Sequence, residues 1–112
     1  MDYTKDIIRI KEYINEHLED NLSPEKIAAV AGYSTFHFCR VFKQCDGRSL
    51  MKYVREKRLE KAEIEVEGGA RLAEVAIKYG FETSSGFSRA YERQYGSRPT
   101  KKLNARKIII CY

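Results

Sequence analysis

The strongest constraint on this chain is that it repeats itself. Ile27-Ala28 and Gly32-Tyr33 return as Val75-Ala76 and Gly80-Phe81 at an offset of 48 residues. Beyond that point the offset is 49: Phe38, Arg40, Phe42 and Gly47 return as Phe87, Arg89, Tyr91 and Gly96. The change puts one extra residue in the second copy's turn, which a turn absorbs easily. A period near 48 also suits a helical solenoid, but such arrays need about three repeats to bury a continuous core. Two copies fit a pair of bihelical units better, each with a first helix, a tight turn containing glycine and a second helix.

Capping chemistry places the elements. Ile7, Ile10, Ile14 and Leu18 recur at helical spacing and give a first helix one apolar stripe. In "LSPEKIAAVAGY", Ser23 is the N-cap of a second helix, Pro24 its first residue and Gly32 its stop. Ser34 caps a third helix whose Phe38, Val41 and Phe42 form a buried stripe. From Ser49, another capping residue, to Glu67 the chain has no Gly or Pro, enough for a helix of roughly 28 Å. Gly68-Gly69 ends it, a short helix then runs to Gly80, and Thr83 caps the next. The expected fold is all-α, about seven helices: a helix-turn-helix subdomain over 1–48, a linker helix over 49–67 and a second helix-turn-helix subdomain over 68–107, both homeodomain-like. The tail 108–112, part of "KIIICY", reads as a strand-like stub that starts a truncated C-terminal domain, while Met1 argues against a domain in front.

Net charge is +5, yet residues 1–25 hold seven acids and three bases, so the remainder carries +9. That field suits a polyanion. Cys39, Cys45 and Cys111 are odd in number without CxxC spacing, which reads as reduced thiols rather than a disulfide framework or a zinc site. His37 beside Cys39 lacks the further ligands zinc needs, and His17 reads as a partly exposed polar residue. No apolar run approaches the roughly 18 residues of a membrane span, and the N-terminus lacks a signal-peptide apolar region. A soluble, cytoplasmic protein is expected, with no membrane partner. With 112 residues, no Ser/His/Asp or paired-carboxylate set and no phosphate-cradling glycine loop, neither an enzyme nor a cofactor is expected.

The inward stripe of the third helix turns Thr35, Phe36, Cys39, Arg40 and Lys43 toward its flank or solvent. A helix-turn-helix places its second helix in the major groove, its N-terminal residues at base edges and its helix N-termini and basic side chains at phosphates. Arg40 can donate two hydrogen bonds to guanine, and Phe36 can meet a thymine methyl. Plain core is the other reading of Phe36. In the second copy Ser84, Ser85, Gly86, Ser88 and Arg89 stand in the equivalent place, with Arg89 the only long reader. Ser34, Thr35, Lys43, Thr83, Arg93 and Lys101 are the phosphate-binding candidates, and Arg48, Lys52, Arg55, Lys57 and Lys61 add to the basic field. Arg58, mid-helix near the expected core, reads as structural. Double-stranded DNA is therefore the expected partner. The competing readings are a helical protein-interaction adaptor with an incidental basic surface, which uses the acidic first helix, and an RNA binder, against which the scarcity of exposed aromatics argues.

"LSPEKIAAVAGYS…F.R.FK…G.S…Y…R…A" followed by "EVAIKYGFE….F.R.Y….G..P" resembles the DNA-binding domain of AraC/XylS-type bacterial transcription regulators over roughly residues 6 to 103. The resemblance implies two recognition helices in successive major grooves, separated by the long helix. It puts base-reading roles on Phe36, Cys39 and Arg40 in the first and on Ser84, Ser85, Gly86, Ser88 and Arg89 in the second. It also implies transcriptional activation through RNA polymerase, with a small-molecule effector only if a further domain exists. Phe36 and Cys39 stand where some relatives carry tryptophan and glutamine, so operator preference does not transfer. Arg98 and Lys102-Leu103 depart from the usual pattern of the last helix.

Overall fold

Four helices start where a side chain satisfies a leading N–H group. In the computed structural model, which describes residues 2–96, Ser23 Oγ accepts the Lys26 N–H at 3.2 Å at the head of α2 (Pro24–Ala31). Ser34 Oγ accepts the His37 N–H at 3.2 Å at the head of α3 (Thr35–Asp46). Ser49 Oγ does the same for Lys52 at 3.3 Å, so α4 runs Leu50–Glu67 with Ser49 as its cap rather than its first residue. Thr83 Oγ1 accepts the Gly86 N–H at 3.0 Å to open α6 (Ser84–Tyr95). The remaining helices are α1 (Thr4–Glu16) and α5 (Leu72–Lys78). These six are the helices of the described residues. Arg98, Lys101, Lys102, Arg106, Lys107, Cys111, the expected last helix and the tail 108–112 lie outside them.

The chain divides between Lys57 and Arg58 into two compact units, and α4 contributes to both. In the first unit, Ile7, Ile10 and Ile14 of α1 meet Ile27 and Ala28 of α2, Phe38, Val41 and Phe42 of α3, and Leu50, Tyr53 and Val54 at the start of α4, all of them buried. Tyr33, Phe38, Phe42 and Tyr53 form a chain of rings with centroids 5.5, 6.1 and 5.4 Å apart. The second unit repeats the device on a smaller scale. Leu59, Ala62, Val75, Ala76, Tyr79, Phe87 and Tyr91 are buried, and the rings of Phe81, Phe87, Tyr91 and Tyr95 follow at 5.2, 6.0 and 4.5 Å. Each aromatic side chain removes 150–250 Å² or so from water, which is how units this small assemble a core. Arg58 is half-buried in this unit, and burial pushes its guanidinium below the usual arginine range.

The two turns share one geometry. Gly32 and Gly80 both sit at φ +81°, and the next residue reaches back to the carbonyl five positions earlier: Tyr33 N–H to Ala28 O at 3.0 Å, Phe81 N–H to Ala76 O at 2.8 Å. This is the left-handed helix stop that favours glycine. The extra residue of the second copy is accommodated in the turn, since Tyr33 alone separates Gly32 from its cap Ser34, while Phe81 and Glu82 separate Gly80 from Thr83. Nothing lies within 4 Å of a Cβ built on Gly32, so Gly32→Ala meets only the backbone penalty of the left-handed region. We expect it to lower unfolding free energy by about 1–2 kcal/mol, measured by denaturant titration.

Candidate nucleic-acid interface

One turn of α3 faces two ways. Phe38 and Phe42 are fully buried, whereas Phe36, between the caps and the core, is 74% exposed. That exposure removes the plain-core reading of Phe36. Arg40, one turn on, is also exposed, and its guanidinium carbon lies 5.7 Å from the Phe36 ring centroid, a cation–π distance. Lys43 is exposed; Thr35 and Cys39 are half-buried. Cys39 and the exposed Cys45 are free thiols. An open groove of about 350 Å³ runs from Pro24 past Phe36, Cys39, Arg40 and Lys43 to Ser49, Leu50 and Met51. Its walls are largely apolar, with Arg40 and Lys43 among the residues that line it. Ser34 is engaged as an acceptor by its cap, which leaves its hydroxyl proton available to an anion.

The N-terminal turn of α3 is tied to α1 through aromatic contacts. His37 packs on Tyr33 at 5.1 Å and on Tyr3 at 6.1 Å. The Tyr33 hydroxyl donates to Asp6 Oδ2 at 2.6 Å, and this bond pushes the phenol up to about 12.

The second copy places Ser85, Arg89, Arg93 and Thr83 at exposed positions and Gly86 and Ser88 at half-buried ones. Ser84 is the first residue of α6. A Cβ on Gly86 would lie 3.4 Å from Thr83 Oγ1, an ordinary van der Waals contact. Lys101 lies outside the described residues. Among the described residues no three His, Cys, Asp or Glu side chains gather as a metal site requires, and no helix is long and apolar enough to cross a membrane.

A family model described as a helix-turn-helix domain matches residues 27–105, which takes in both turns and both exposed helices. Multiple antibiotic resistance protein MarA of Salmonella typhimurium is 33% identical over 93 residues, 82% of this chain and 73% of that protein. The chain belongs to the AraC/XylS family of DNA-binding domains. Right origin-binding protein of Escherichia coli K12 is 34% identical over 88 residues, 78% of this chain but 30% of its own length, so this chain spans under a third of such relatives. The DNA-binding domain of AdpA, solved in complex with a target DNA, superposes with a TM-score of 0.84 at 25% identity, covering 92% of this chain and 94% of that one. An AraC-type regulator from Chromobacterium violaceum matches the fold with a TM-score of 0.86, 24% identity and 92% and 93% coverage.

The AraC/XylS scaffold of this chain holds one feature that sequence reasoning missed. Arg48, which counts toward the basic surface on composition alone, is not a free surface cation. Its Nε donates to Asp46 Oδ2 at 2.6 Å and its Nη1 to Glu56 Oε2 at 2.8 Å, while Lys11 Nζ donates to Asp46 Oδ1 at 2.6 Å. The Arg48 bonds, then those of Lys11, hold the Asp46 carboxyl well below the usual carboxylate range. The available signal was an acid in the last turn of a helix, where the dipole disfavours it.

Proposed function

We propose that this chain is a sequence-specific, double-stranded DNA-binding unit of a transcription regulator, acting as an activator and inserting α3 and α6 into successive major grooves. The observation that carries the reading is the exposed Phe36–Arg40 pair on a helix whose opposite face is fully buried, beside an anion-ready cap at Ser34. A single exposed aromatic is ordinary on a protein surface, so the reading rests on its pairing with Arg40 beside the Ser34 cap. Phe36 meets a thymine methyl, Cys39 lies against the neighbouring base edge and Arg40 donates its two-pronged bond to guanine. Ser84, Ser85, Gly86, Ser88 and Arg89 read the second site with less discrimination, because hydroxyls bond to several bases. Ser34, Thr35, Lys43, Thr83, Arg93 and Lys101 take phosphates. Relatives support this reading: the DNA-binding domain of AdpA was solved in complex with a target DNA, and a Salmonella typhimurium relative is the transcriptional regulator Rob. Activation proceeds through contact with RNA polymerase, and a small-molecule effector enters only through a further domain.

Two substitutions test the assignment by electrophoretic mobility shift. Arg40→Ala is expected to lower specific affinity by about 1–3 kcal/mol and relax choice at one base pair, while Lys43→Ala weakens specific and random duplexes by the same factor. Unchanged binding by both variants would remove α3 from the interface.

A further inference from the structure

Asp46 closes α3 at the end where the helix dipole disfavours a negative charge, and only 3% of its side chain is exposed. A carboxylate in that position is costly unless it is fully paired. It is paired four times over: by Lys11 Nζ at 2.6 Å, by Arg48 Nε at 2.6 Å, by Arg48 Nη2 at 3.0 Å and by the Arg48 backbone N–H at 3.2 Å. Arg48 also reaches Glu56 on α4, and its guanidinium carbon lies 4.9 Å from the Tyr53 ring centroid. One carboxylate thus joins α1, the last turn of α3 and α4. Two cations and two acids neutralise one another there, so the cluster has no net charge to offer a phosphate. In the second copy, at the offset of 49, the matching position is Tyr95, whose ring packs against Tyr91 at 4.5 Å, tilted by 47°.

We propose that Asp46 is a specificity-determining positioning residue: through Lys11 and Arg48 it fixes the pitch and rotation of α3, and so the points in space from which Phe36 and Arg40 reach the bases. This rests on the DNA-reading function above. A two-pronged arginine bond is sensitive to orientation, whereas phosphate contacts by long side chains adapt. The α3 helix, about 18 Å long over its 12 residues, is seated by buried Phe38, Val41 and Phe42 and tied at its end by Asp46. Releasing that end lets the helix tilt and rotate on its packed face.

The experiment compares the full chain with Asp46→Asn and with Lys11→Met, which cuts only the tie to α1. For each, dissociation constants for a selected duplex and for a random duplex are measured over a salt series, at a temperature where circular dichroism shows the helices intact. Asp46→Asn is expected to weaken the selected duplex about tenfold, within what one bidentate base contact discriminates, with random-duplex binding not weakened and the salt slope not reduced. Lys11→Met shifts the ratio the same way by less, and decides the matter alone if Asp46→Asn does not fold. Equal loss on both duplexes, or no loss on either, overturns the positioning role while the DNA reading stands. A parent chain that does not distinguish the two duplexes overturns that reading itself.

Discussion

Raising salt from 50 to 200 mM is expected to weaken duplex binding by roughly a thousandfold, the consequence of about six phosphates neutralised at a log–log slope near −0.9 each. About six is the low end of the phosphate contacts that a duplex binder of this kind makes. Lys11 and Arg48 are absorbed by Asp46 and Glu56, and Lys78 by Glu65. Lys43, Lys52, Arg55, Lys61 and Arg93 stand at exposed positions, besides the base readers Arg40 and Arg89. Fluorescence anisotropy with a random 20-mer duplex over a salt series gives the slope. A helical adaptor with an incidental basic surface would show a shallow slope and weak binding even at 50 mM, and that result would favour the adaptor over the DNA reading.

Phe42→Ala is expected to cost about 3–5 kcal/mol of unfolding free energy, the usual range for emptying an aromatic site in a packed core. Phe42 is fully buried between Phe38 and Tyr53, and it is the ring through which α3 reaches the start of α4. Domains are stable by only about 5–15 kcal/mol in total, so the change consumes a large share of the margin. Tyr91→Ala is its counterpart in the second unit, at a site likewise fully buried. Thermal and urea denaturation check both. A loss below 1 kcal/mol at Phe42 would mean that the aromatic chain is not what holds the first unit together. Because α3 packs through Phe38 and Phe42, duplex binding by Phe42→Ala should fall with the folded fraction.

What could be read from the sequence alone was whatever local chemistry decides. Ser23, Ser34, Ser49 and Thr83 cap helices because a hydroxyl beside an unsatisfied N–H behaves the same way in any fold. Gly32 and Gly80 stop helices because few other residues adopt φ +81° without strain. The stripe Phe38, Val41, Phe42 followed from helical period, and with it the outward position of Phe36 and Arg40. Tertiary pairing was not legible. Arg48 looks like one more surface cation until Lys11, 35 residues before Asp46, and Glu56, eight residues after Arg48, are brought to it by the fold. The groove joining Pro24 to Leu50 and Met51 along α3 was hidden for the same reason, since it assembles side chains from three separate helices.

The most direct measurement is selection of bound sequences from a random duplex pool with this chain. Two short motifs are predicted, their centres about one helical turn or roughly 34–36 Å apart, the sharper one lost in Arg40→Ala. A pool that emerges unenriched, or that converges on one motif untouched by Arg40→Ala, would contradict a duplicated reading head.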